Sequence, residues 1–182
     1  SHPVRGVSFT IKGRISTHVV RPIRLQRKSG SKWVNFGTSK TTSQGRYSFR
    51  VSPSWSSANF RVVASKVKIR KKTYPRLVSK VTTVRTVTVT PTTPMAQEKF
   101  TVVDSLRKKG SRAASLQRRV GKKWVTIAKT KSRSCGRVSF TASLNSSSPL
   151  RVVTPRATIK EKRLAQITLP QFGVSIAKQS AA

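Results

Sequence analysis

Leu25-Gln26-Arg27-Lys28-Ser29-Gly30-Ser31-Lys32-Trp33-Val34 returns as Leu116-Gln117-Arg118-Arg119-Val120-Gly121-Lys122-Lys123-Trp124-Val125. Seven of the ten positions are identical, at a constant offset of 91 residues. Gly45-Arg46-Tyr47-Ser48-Phe49 returns as Gly136-Arg137-Val138-Ser139-Phe140 at the same offset. Arg61-Val62-Val63 matches Arg151-Val152-Val153 at an offset of 90, so one residue is lost in between. A period near 90 exceeds the ~20–50 residues of solenoid repeats, so each copy is expected to bury a core of its own.

Around these anchors the pattern has period two, the signature of half-buried strands. Val7-Ser8-Phe9-Thr10-Ile11 alternates apolar and polar residues, and Val87-Thr88-Val89-Thr90 does the same. Tyr47, Phe49 and Val51 alternate with Arg46, Ser48 and Arg50, and Val67 and Ile69 alternate with Lys66, Lys68 and Arg70. Turn signals punctuate the strands at Ser29-Gly30, Gln44-Gly45, Ser52-Pro53, Arg70-Lys71-Lys72, Gly121 and Cys135-Gly136. No helical periodicity competes. The expectation is an all-β chain of two tandem antiparallel β-sandwich domains with about seven strands each.

Thr90-Pro91-Thr92-Thr93-Pro94 reads as the boundary, because proline cannot donate to a sheet ladder and stiffens a connector. The division is residues 1–91, a Pro/Thr linker at 92–97, and residues 98–182. Leu25, Leu116, Phe49 and Phe140 should face inward, and Trp33 and Trp124 are read as core anchors. Gly45 and Gly136 should supply positive φ in tight turns.

The run L-Q-R, a Gly turn, K-W-V, then G-R-x-S-F and R-V-V resembles immunoglobulin-like β-sandwich repeats of secreted and cell-surface actinobacterial proteins, over about residues 7–89 and 98–176. The resemblance implies an immunoglobulin-like or fibronectin-like fold and an extracellular or cell-surface location. It implies no particular activity, since such sandwiches serve as spacers, adhesins and binding modules alike.

Charge narrows the function. Lys and Arg number 39 against 3 Asp and Glu, a net +36, and residues 1–97 hold no acid at all. A surface shaped only for solubility mixes both signs and carries a net charge of roughly 2–8 in magnitude. Acid–base catalysis needs a carboxylate, histidine or similar group near working pH. Here the inventory is His2, His18, Glu98, Asp104 and Glu161. One cysteine, two histidines and three acids fit no zinc spacing, and no glycine-rich phosphate loop is present. The reading is a non-enzyme without cofactor or metal. No run of apolar residues approaches the ~18 of a membrane span, so membrane insertion is not expected. Ser1-His2-Pro3-Val4 lacks the apolar core of a signal peptide.

Polyanion binding asks less of a sequence: Lys and Arg displace counter-ions from phosphate or sulfate groups. Candidate binding residues in the first copy are Arg24 and Lys28 beside Gln26, Arg46 and Arg50, Lys66 and Lys68, and the Arg70-Lys71-Lys72 turn. In the second copy they are Arg118, Lys122, Lys123, Lys129, Lys131, Arg133 and Arg137, with a further cluster at Arg107-Lys108-Lys109. Trp55 is the tryptophan without a counterpart, either capping the sandwich or stacking on a base or sugar. Extracellular DNA or anionic wall polymers are the expected partners, bound without sequence specificity because no recognition helix is present. Two rival readings are a structural subunit of a filament, sheath or virion that assembles through strand edges, and a secreted redox or host-interaction factor that depends on Cys135 or a bound cofactor. Arg133 and Arg137 flank Cys135 and would favour its thiolate.

Overall fold

The alternating stretches become strands throughout a computed structural model that describes residues 2–106, 110–159 and 162–177. The described chain is all-β, and its contacts divide it into two units. The smaller unit spans Ser8–Arg85. The larger unit joins the N-terminal segment through Val7 to the chain from Thr86 onward.

The smaller unit contains β1 (Phe9–Arg14), β2 (Pro22–Ser29), β3 (Lys32–Lys40), β4 (Arg46–Val51) and β5 (Ser57–Ala64). Four short strands follow: β6 (Val67–Ile69), β7 (Lys72–Tyr74), β8 (Leu77–Val78) and β9 (Thr82–Arg85). β1 pairs antiparallel with β4 in one sheet, and β3-β2-β5 with β8 and β9 forms the other. Phe49 and Val51 from the first sheet meet Ile23, Leu25, Phe60 and Val62 from the second in the core.

The larger unit opens with β10 (Thr88–Thr90), β11 (Phe100–Ser105), β12 (Ala113–Val120), β13 (Lys123–Lys131), β14 (Arg137–Ala142) and β15 (Ser148–Thr154). It continues with β16 (Ala157–Ile159), β17 (Lys162–Leu164), β18 (Ile167–Thr168) and β19 (Phe172–Val174). Its sheets are β10-β11-β14 and β13-β12-β15 with β18 and β19. The repeat therefore extends to topology: β11 to β19 reproduce β1 to β9 in order and pairing, including a register shift after Leu25 and again after Leu116. The two units hold nine and ten strands among the described residues rather than about seven. Each carries an extra hairpin, β6–β7 or β16–β17, and its last strand is split in two.

The unit boundary does not coincide with the proline-rich stretch. Thr88–Thr90 belongs to the larger unit, so residues 92–97 join two adjacent strands of one sheet, and the change of unit falls between Arg85 and Thr86. Pro and Thr suit a turn between strands as well as a linker. The turn itself repeats. Val7 N donates to Val4 O at 3.0 Å, as Glu98 N does to Met95 O at 3.2 Å, with Gly6 and Gln97 both at positive φ (85° and 64°).

Leu25, Leu116, Phe49 and Phe140 are buried as expected. Gly45 and Gly136 adopt φ of 73° and 85°. A Cβ on Gly45 would lie 2.7 Å from the carbonyl oxygens of Ile15 and Thr17, so the turn excludes any side chain.

Candidate polyanion-binding surface

Both described acids accept backbone amides, Glu98 at the surface and Asp104 in the interior. Glu98 Oε2 accepts the Met95 amide at 2.7 Å, closing its own turn. Asp104 is buried on β11, where Oδ1 accepts the Ser105 amide at 2.7 Å and lies 3.5 Å from His2 Nε2. His2 is itself buried in the larger unit and meets Phe172 edge-on at 6.4 Å. No ion pair of a Lys or Arg with Asp104 or Glu98 is recorded among the described residues.

Strand alternation places the exposed cations in rows. On β1 and β4, Arg46 and Arg50 lie on the outward face together with Lys12 and Arg14, which the sequence reading passed over although they follow the same alternation. Arg14 stands directly opposite Arg46. Its Nε donates to Gln44 O at 3.0 Å and its Nη2 lies 2.7 Å from His18 Nε2. On β2, Arg24 and Lys28 are exposed and share the outward face with Gln26. Lys66, Lys68, Arg70, Lys71 and Lys72 are all exposed on the β6–β7 hairpin, with Arg70 at φ 53° at its tip and Lys72 Nζ 5.5 Å over the Tyr74 ring.

In the larger unit Lys122, Lys123, Lys129, Lys131, Arg133 and Arg137 are exposed. Arg118 is not in this set: it is half-buried and, opposite Leu150, points to the core side of β12. The outward, exposed neighbour is Arg119, so the identical Gln-Arg pair was read one residue out of phase. Arg107, Lys108 and Lys109 lie outside the described residues.

The repeated tryptophans are not core anchors. Trp33 sits on the outer face opposite Lys28, half-buried beneath the Arg61 guanidinium, whose carbon is 4.3 Å from the ring centroid. Arg61 Nε donates to Gln26 Oε1 at 2.9 Å. Trp124, Arg151 and Gln117 repeat the arrangement at 4.2 Å and 2.9 Å. The guanidinium is thus held over an indole by one side-chain bond, and no hydrogen bond of its terminal nitrogens is recorded among the described residues. A cation held this way loses little further freedom when it meets an anion. The signal was in the sequence: Gln and Trp recur at an offset of 91 residues and Arg at 90.

Trp55 takes the capping place. Its ring packs on Phe9 at 6.5 Å and on Phe60 at 5.4 Å, against the core of the smaller unit. Cys135 is free and exposed in the turn between β13 and β14.

Two further arginines escaped sequence reading because they look like surface charge. Arg21 is 1% exposed, and its Nη2 donates to Ser65 O and Pro75 O, each at 2.6 Å. Arg112, its repeat counterpart, is 3% exposed and donates to Pro155 O and, at 2.9 Å, to Ala165 O. Each staples the loops around the small hairpin to the sandwich. These guanidiniums are structural and unavailable to a ligand.

No family model matches this chain, and no curated protein matches it. Among solved structures it is similar to the D0-D1 domain of intimin, at 12% identity and TM-score 0.33, over 95% of this chain and 94% of that one. It is also similar to the BSP domain of a biofilm-associated protein, at 10% identity and TM-score 0.34, over 98% of this chain and 29% of that one. Invasin, a bacterial integrin-binding protein, matches at 14% identity and TM-score 0.30, over 98% and 37%. The chain spans about a third of the length of the last two.

Proposed function

We propose that this chain is a non-enzymatic, secreted or cell-surface binding module that holds polyanions, such as DNA or anionic wall polymers, on the outer faces of its sheets. The observation that carries the reading is the fate of the acids: both described carboxylates accept backbone amides of their own segments, while no ion pair is recorded for the rows of exposed Lys and Arg among the described residues. The Arg61–Trp33 and Arg151–Trp124 stacks would give each unit a preoriented guanidinium suited to bidentate phosphate or sulfate contact. Binding would proceed by counter-ion release over many weak contacts and tolerate any nucleotide sequence.

Titration against duplex DNA, an anionic glycan and a neutral glycan at several salt concentrations tests this. Tight binding to both anions, falling steeply with salt and absent for the neutral glycan, supports the reading. Equal binding to the neutral glycan, or no binding near physiological salt, refutes it.

A further inference from the structure

β6 and β7 belong to neither sheet of the smaller unit. Among the described residues they pair only with each other, Val67 opposite Tyr74, Lys68 opposite Thr73 and Ile69 opposite Lys72. No residue from Lys66 to Arg76 is buried, and only Val67, Ile69 and Tyr74 are half-buried. Six of these eleven residues are Lys or Arg, and none is acidic.

Both ends of this ribbon are fixed. The buried Arg21 donates through Nη2 to Ser65 O and to Pro75 O, each at 2.6 Å, just ahead of the first strand and just after the second. Cations carried on a ribbon clamped at both ends are positioned before any ligand arrives, so less ordering is lost on binding. At the tip Arg70 takes a left-handed φ of 53°, and the side chains of Arg70 and Lys71 are exposed. The second copy keeps the clamp, through Arg112, but its sequence reads Lys160-Glu161 where the first reads Arg70-Lys71. The cationic tip thus belongs to the first copy.

We propose that the β6–β7 ribbon enters the major groove of duplex DNA, an inference that rests on the polyanion reading above. Two strands ~4.8 Å apart leave room for side chains on either side within a groove ~12 Å wide. Three residue pairs at ~3.4 Å each give a finger of about 10 Å, long enough for a groove ~8.5 Å deep. Arg70 at the tip meets the groove floor, where guanine O6 and N7 are acceptors. Lys66, Lys68 and Lys71 meet the phosphates of the groove walls, which positions the ribbon without selecting a sequence. Double-stranded RNA is a poor occupant, because its major groove is too narrow for side chains to read. A flexible wall polymer presents no groove at all.

Dimethyl sulfate methylates guanine N7 in the major groove and adenine N3 in the minor groove, so it reports which groove is covered. On a mixed-sequence duplex saturated with the full chain, N7 should be protected while N3 stays reactive. Arg70→Gly with Lys71→Gln should lose the N7 protection and lower the slope of log affinity against log salt by roughly 1. Glycine adopts the left-handed φ freely, so this variant keeps the turn. Arg46→Gln with Arg50→Gln, which removes two charges from β4, should lower the slope by up to about 2 yet leave N7 protected. Bound duplex with N7 still reactive, protection that survives in the tip variant, or protection lost equally in the β4 variant would overturn the ribbon and leave the polyanion reading standing. So would binding of an anionic glycan without binding of the duplex. Failure to bind either would refute both.

Discussion

Arg21 and Arg112 show how a residue type that usually marks a surface can close a core. Each guanidinium is buried, and its acceptors are neutral carbonyls rather than carboxylates; for Arg21 this is a necessity, since the smaller unit contains no acid. Hydrogen bonds from charged donors contribute roughly 1.5–3 kcal/mol each, so Arg21→Met should destabilise the smaller unit by about 3 kcal/mol in urea unfolding. Arg21→Lys should fall between, because an ammonium cannot reproduce the planar fork. Arg61 and Arg151 make the contrasting case. Arg61→Leu with Arg151→Leu should cost the fold less, since each stack contributes about 0.5–2 kcal/mol. The same pair should lower the slope of log affinity against log salt for duplex DNA by about 1–2, if each guanidinium contacts one phosphate. An unchanged slope would remove the stacks from the binding surface.

Among the strands, β1 and β11 are the informative comparison. Both come from the same stretch of the repeat, yet β11 presents Phe100, Val102 and Asp104 to a closed core while β1 presents Phe9, Ile11 and Gly13 to an open one. Tyr47 compensates in part: it lies over Gly13, where a Cβ would come within 2.2 Å of its hydroxyl oxygen. Gly13→Ala should therefore displace the ring and lower the stability of the smaller unit, seen as earlier urea unfolding. Burial pushes the Tyr47 phenol above its ordinary value of 10.0. A raised phenol favours the neutral form in the folded state, so its contribution is complete below about pH 10 and is lost as pH rises through the raised value. Wild type should lose stability faster than Tyr47→Phe as pH rises above about 10, and the two should run parallel below pH 9. Parallel curves throughout would mean that the phenol is equally solvated in the unfolded chain.

Across the whole molecule the net charge of +36 acts in two opposite directions. Salt screens self-repulsion, with a Debye length of ~10 Å at 0.1 M, so raising ionic strength from about 10 to 150 mM should raise the melting temperature by several degrees. The same change should weaken DNA binding, because fewer counter-ions are released. Calorimetry and binding across one salt series would read both effects, and a melting temperature insensitive to salt would contradict the first. Sub-stoichiometric polyphosphate should substitute for salt in the first effect.

Local chemistry made much of this legible in the chain. Alternation at Phe9–Ile11, Arg46–Val51 and Thr88–Thr90 marked strands, the 91-residue echo marked two copies of one sandwich, and glycines at 45 and 136 marked turns that only they can make. These features depend on neighbours a few residues away. Contacts between distant segments were decided by packing alone: which sheet Thr88–Thr90 joined, that Trp33 lies outside under Arg61, that Arg21 goes inside, and that His2 reaches Asp104. Period-two alternation assigns a residue to one of two faces but does not say which face meets a second sheet. An arginine reads identically whether its donors meet solvent or the carbonyls of a loop more than forty residues away.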